Sequence, residues 1–278
     1  MLLLVSGSGA STAAQGLSID IQSRSLRPGE AVLVTISAPA GTTSVIVDAF
    51  GFRWPAFRAT DTSWRALIGI DLERHPGTYP VIAEGAGSQV LRANRDLIVV
   101  RRQFPQRVLK VAPDYVNPPP DLLARIRTEA EFMTAVYGHS ASEPAWETGV
   151  QRPVADVANS SFGTRSVFNG EPRSPHAGTD FLSPAGTPIH APAGGHIVAA
   201  RELFFTGNTI VIDHGLGVFS MLAHLSRIDV REGDAVNAGD VVGLVGATGR
   251  VTGPHLHWAM RVGPARVDPL SALALLAN

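Results

Sequence analysis

Between Leu17 and Val100 apolar and polar positions alternate in short runs, the pattern of strands that bury one face. The runs Leu17–Ile21, Val32–Ile36, Val45–Phe50, Trp64–Ile70, Tyr79–Ile82 and Leu97–Val100 are punctuated by Pro28-Gly29, Gly41-Thr42 and Pro76-Gly77. Strands and turns at this spacing predict a small β-sandwich, Ig-like in outline. Residues 101–120 lose the pattern and end in Asn117-Pro118-Pro119-Pro120, which favours an extended polyproline connector. A helix is predicted next: Leu122, Ile126, Met133 and Tyr137 fall near one stripe, Asp121 lies in the first turn, and Gly138 stops it. Such a stripe is a packing face, so the helix is expected to rest on one of the flanking domains.

From Val154 short strands return at Thr187–His190, Gly195–Ala200, Asn208–Asp213, Val218–His224 and Val241–Val245. The corners Gly233-Asp234 and Gly239-Asp240 suit sharp turns in a compact antiparallel fold. The expected class is mainly β, in four segments: a signal-like or disordered leader at 1–16, an Ig-like accessory domain at 17–100, a Pro-rich connector and helix at 101–153, and an antiparallel β domain at 154–278. Within the last, Gly253-Pro254-His255-Leu256-His257-Trp258 places His255 and His257 on one strand face if Leu256 and Trp258 pack into the core.

Composition narrows the chemistry. Hydrophobic residues make up 45% and charged residues 17%, so the chain is not wholly disordered, and no apolar run is long enough to span a membrane. A net charge of −1 argues against nucleic-acid binding. Without cysteine there are no disulfides or thiolate sites, and any metal is held by nitrogen and oxygen ligands. The apolar Met1–Val5 followed by the small residues Ser6–Gly16 resembles the tail of a secretory signal lacking its basic start, which suggests an exported protein, periplasmic or extracellular.

Two same-facing imidazoles, a His176-x-x-x-Asp180 pair earlier in the chain and His224 between them point to a metal and proton-transfer site. Each motif is common by itself; their combination in one β-rich region is not. The blocks Ser160–Arg165, Phe168–Gly170, His176–Phe181, Asn208–Gly215, Ala223–Ser226 and Thr252–Trp258, in this order, resemble the M23 (lysostaphin/LytM-like) zinc metalloendopeptidases over roughly Val154–Leu270. The resemblance implies a C-terminal antiparallel LytM/M23 peptidase domain. It implies Zn2+ held by His176, Asp180 and His257, with His224 and His255 beside the open coordination position. Either of these two could act as the general base. Asn208 and Arg165 match blocks near the cleft and become candidates for substrate contact.

The function so implied is hydrolysis of peptide bonds in bacterial cell-wall peptidoglycan, in cross-links or stem peptides. A non-catalytic LytM-type wall-binding protein that activates a separate amidase is the alternative, but such proteins typically lose metal-site residues and all five are present here. The Gly-Asp hairpins would also suit a biotinyl- or lipoyl-like carrier, for which no Met-Lys attachment site exists. His214 is expected in a structural hydrogen-bonding role, and His75, His139, His190 and His196 outside the catalytic set.

Overall fold

The alternating runs of residues 17–100 become strands in the computed structural model, which describes residues 16–110, 116, 118–159 and 162–277. The signal-like leader, but for Gly16, lies outside the described residues, as do Asn117 of the connector and Ser160-Ser161 of the first motif block. One antiparallel sheet orders β1 (Ser18–Gln22), β2 (Ala31–Ser37), β6 (Ser63–Gly69) and β5 (Phe57–Thr60); a second orders β4 (Phe52–Pro55), β3 (Ser44–Ala49), β7 (Gly77–Ala86) and β8 (Leu91–Val99). The sheets share a core in which period-two alternation sends Val45, Val47 and Ala49 of β3 and Val81 and Ala83 of β7 inward. The short β4 and β5 are strands that the sequence pattern does not announce.

Strand β2 departs from alternation, with Ala31, Val32, Leu33 and Val34 all buried. Its second face is covered by the C-terminal part of the chain, and a strand covered on both faces reads as a continuous apolar run. The end of β6 is equally enclosed: a Cβ added at Gly69 would lie 2.5 Å from the Ala265 side chain. One core cluster accordingly runs from Ala31 through to Ala272.

The connector is not polyproline throughout. Gln106–Leu109, a stretch free of proline, forms β9 and pairs in parallel with β10 (Arg165–Phe168), which in turn pairs with β11 (Glu171–Pro172). With its N–H groups intact, this extended segment can enter a ladder that a run of prolines could not. The helix α1 (Pro120–Tyr137) starts with proline in its first turn and ends at Gly138. Phe132, Met133, Val136 and Tyr137 rest against Ala199, Val211 and Phe219, while no residue of α1 is fully buried.

The remaining strands are β12 (Gly178–Phe181), β13 (Pro188–His190), β14 (Gly195–Leu203), β15 (Gly207–Asp213), β16 (Val218–Ile228), β17 (Ala235–Val236), β18 (Val241–Val245), β19 (Leu256–Val262) and β20 (Ala265–Val267). They make one antiparallel sheet along the path β12-β19-β16-β15-β14-β17, with β18 joining β13 to β16 and β20 flanking β19. A closing helix, α2 (Pro269–Leu276), is capped by the Asp268 carboxylate, which accepts from Leu270 N, and it packs on β2.

Buried charge ties the two parts together. Arg24 Nη2 donates to Glu30 Oε1 at 2.7 Å and to Asp268 Oδ2 at 2.8 Å, and Arg102 Nη1 donates to Glu30 Oε1 at 3.2 Å. Ser271 Oγ completes Glu30, and Thr179 Oγ1 donates to Asp268 Oδ1. Two carboxylates, one from each part, thus share two guanidiniums, the arrangement that makes buried charge tolerable.

Candidate active site

Antiparallel register places Asp180 of β12 directly opposite His257 of β19, which brings their side chains together on one face. His176, just before β12, is fixed by two backbone bonds: His176 N donates to Thr164 O and Gly163 N donates to His176 O. Its Nε2 lies 3.1 Å from Asp180 Oδ1 and 2.8 Å from His257 Nδ1, which is 2.9 Å from the same Asp180 oxygen. Ligand atoms about 2.0–2.1 Å from a tetrahedral ion sit roughly 3.3 Å apart, so these three atoms suit one zinc ion once they open by a few tenths of an ångström. Burial alone would raise the Asp180 carboxyl, yet His176 and His257 hold it well below the usual carboxylate range. Burial lowers His257, which therefore offers a neutral imidazole.

Gly178 allows this packing. A Cβ there would lie 2.5 Å from His257 Cε1 and 2.7 Å from Trp258 O, so the ring occupies the place of the missing side chain. On the far side of β19, Leu256 and Trp258 are buried in the core. The period-two reading of the His255–Trp258 stretch thus describes the strand as it is.

His224 reaches the site by a different route. Strands β15 and β16 pair Asn208 with Leu225 and Ile210 with Leu222, leaving an extra residue on β16. The bulge lets Leu222 and Leu225 both enter the core while His224, at φ +67°, turns toward His255 and His257. A left-handed histidine is sterically costly, and such strain collects at functional sites. His224 N donates to Thr206 O and Nδ1 donates to Thr248 O, while His255 Nδ1 donates to Gly253 O. With Nδ1 bonded to a carbonyl, Nε2 is the ring nitrogen that each side chain keeps for the site. Burial, reinforced by the His257 ring, pushes His224 down to about 3, so it stays neutral near pH 7.

The five residues line a groove of about 360 Å³ that also takes in Arg107, Ser166, Phe168, Arg173, Phe205, Thr206 and Arg250. Arg165 is not among them. Alternation along β10 turns Ser166 and Phe168 to the groove and Arg165 to a separate cavity shared with Gln106 and His75. Because β9 pairs Arg107 with Ser166 in register, a guanidinium reaches the groove from the connector instead, where Arg107 Nε donates to Ser166 Oγ. Asn208 is likewise no groove residue: its Nδ2 donates to Leu225 O, and its backbone N donates to Thr248 Oγ1, next to the carbonyl that orients His224.

His214 is buried away from these ligands: its Nδ1 donates to Gly194 O, its Nε2 accepts from Ser220 Oγ, and Ser220 accepts from Trp258 Nε1. His190 donates to Gly239 O, and His75, His139 and His196 are exposed. Arg107, Arg173, Arg250 and Thr248 were not singled out by sequence, since no local pattern marks which distant segments line a cleft.

The profile of peptidase family M23 matches residues 174–269. The peptidoglycan DD-endopeptidase ShyA of Vibrio cholerae is 43% identical over 105 residues, 38% of this chain and 24% of that protein. The DD-carboxypeptidase/endopeptidase Mpg of Neisseria meningitidis is 44% identical over 96 residues, 34% of this chain and 22% of that protein. The chain therefore spans less than a quarter of the length of these curated relatives. A solved structure from Pseudomonas aeruginosa, described as a peptidase M23, is 32% identical and superposes with a TM-score of 0.70 over 90% of this chain and 96% of that one.

Proposed function

The chain belongs to peptidase family M23, and from that premise we propose that it is a zinc-dependent endopeptidase hydrolysing peptide bonds of bacterial cell-wall peptidoglycan, in cross-links or stem peptides. The observation that carries the reading is the convergence of His176, Asp180 and His257 ligand atoms beside two imidazoles whose Nδ1 atoms are tied to carbonyls. A zinc ion held by these residues would supply Lewis acidity toward the scissile carbonyl and make water a stronger acid near neutral pH.

The chain's own residues do the rest. Nε2 of His224 and of His255 face the space beside the ligands: one accepts the proton as water adds to the carbonyl carbon, and a proton is returned to the amine as the C–N bond breaks. Asn208 Nδ2 and Thr248 Oγ1 both donate to Leu225 O and so steady the strand next to His224. Because peptidoglycan lies outside the cytoplasm, the reading includes an exported protein. Among the described residues no helix is long and apolar enough to cross a membrane.

Purified peptidoglycan digested with zinc-loaded protein and analysed by mass spectrometry tests the reading. New peptide amine and carboxyl ends are expected, lost in His257→Ala together with the zinc. His224→Ala is expected to keep the zinc and to lower turnover by about 10²–10⁴-fold. A zinc-loaded wild type that releases no new ends sinks the proposal and favours the amidase-activator alternative; a fully active His224→Ala removes that residue from the mechanism.

A further inference from the structure

We propose that the groove selects peptides carrying a free carboxylate beside the scissile bond, recognised by Arg107 of the connector strand together with Arg173 and Arg250. The inference rests on the endopeptidase reading of the same site and adds its substrate chemistry. Among the described residues lining the groove, three guanidiniums stand against one carboxylate, Asp180, which belongs to the ligand set. In a chain of net charge −1 that concentration of positive charge is local, and a bound divalent cation would increase it.

Each guanidinium is held in place. Arg107 Nε donates to Ser166 Oγ at 2.9 Å, which holds the guanidinium in the groove wall. Arg173 donates through Nη2 to Val116 O at 2.7 Å, and its Nε is shielded from solvent with no acceptor among the described residues. Arg250 stacks against Phe168 and Phe205, 5.1 and 4.7 Å from their ring centres. Arginines on a planar fork fixed by such contacts are suited to carboxylate oxygens.

Arg107 lies outside the 174–269 segment that matches the family profile and reaches the groove only because β9 pairs with β10. Substrate choice is therefore shared between the peptidase sheet and a strand from the connector. A neutral bridge, such as one built of glycines, would offer no carboxylate to this positively charged groove.

The test uses the zinc-loaded full chain and two synthetic cross-linked stem peptides that differ only in whether their free carboxylates are converted to primary amides. The acid form is expected to show kcat/KM about tenfold or more above the amide form, a preference that declines with ionic strength. In Arg107→Gln and Arg173→Gln the ratio is expected to fall to about threefold or less, with Arg107→Lys recovering only part of it. A carboxylate attracted by the metal alone would keep the same ratio in every variant, so an unchanged ratio in both overturns the inference, as does equal cleavage of the two peptides by wild type. If neither peptide is cleaved, the endopeptidase reading fails, and equilibrium binding decides the inference by itself: about tenfold tighter binding of the acid form sustains it, and equal or absent binding overturns it.

Discussion

Substituting Gly178 by alanine isolates the packing on which the proposed metal ligands depend. Gly178 does not adopt the left-handed backbone, so alanine is compatible with its φ and the effect comes from volume alone. The new Cβ would lie 2.5 Å from His257 Cε1, 2.6 Å from Nε2 and 2.7 Å from Trp258 O. Ordinary carbon contacts are about 3.5 Å, so the ring must withdraw by about 1 Å. Retreat of the strand is blocked, because β19 is paired on both sides and Trp258 is fully buried. Metal sites tolerate displacements of only about 0.2 Å, so the His257 ligand is lost or strained. Zinc affinity is expected to fall by about 100-fold or more, with an overpacking cost of about 1–3 kcal/mol to the apoprotein. Competition with a chromophoric chelator measures the first, and circular dichroism with thermal melting the second. A folded Gly178→Ala protein whose zinc dissociation constant stays within about twofold of wild type would refute the reasoning.

Two further outcomes follow from groups away from the ligands. Glu30→Ala leaves Arg24 and Arg102 with Asp268 alone; since the Arg24 side chain keeps 34% exposure, the low end of the cost of breaking a buried pair applies. That is about 3 kcal/mol, a Tm drop of roughly 6–12 °C, and a drop below about 2 °C would count against the cluster as a clamp. His214, lowered by burial, stays neutral in the fold while the unfolded chain takes up a proton as pH falls through the ordinary value of 6.5. Its stabilising contribution is therefore full above that value and declines below it. Between pH 7.5 and 5.5 wild type should lose about 1 kcal/mol more than His214→Gln in chemical denaturation, and parallel pH profiles would disprove this.

The placement of the candidate metal-site residues was legible from local rules, while which of them would hold zinc came from the M23 resemblance. His255 and His257 alternate with Leu256 and Trp258 along the start of β19, and Asp180 lies in β12 with His176 just before it. The strands of the sandwich were legible for the same reason, through residues such as Val45, Val47, Val81 and Ala83. What stayed hidden depends on pairing between distant segments. Arg165 and Arg107 look alike as exposed arginines near β-rich stretches, and only the parallel register of β9 on β10 decides which enters the groove. The β16 bulge that turns His224 has no signature in Leu222-Ala223-His224-Leu225, because an extra residue is defined by its partner strand. Helix α2 did have a signal, Asp268-Pro269 before an apolar run, of the cap-then-proline kind. The connector misled because its flanking prolines dominate the composition while Gln106–Leu109 contains none.

The ion cluster of Arg24, Glu30, Arg102 and Asp268 bears on how this molecule can be inherited. Each carboxylate is solvated by guanidiniums from the sandwich side, and Asp268 also caps α2 and holds Thr179, the neighbour of Asp180. A gene fusion that exchanged the sandwich for an unrelated module would take Arg24 and Glu30 away and leave Asp268 only Arg102, 3.7 Å off, beside the strand that carries Asp180. Recombination should therefore transmit the sandwich and the peptidase sheet as one block, with substitutions at Arg24, Glu30 and Asp268 arising together.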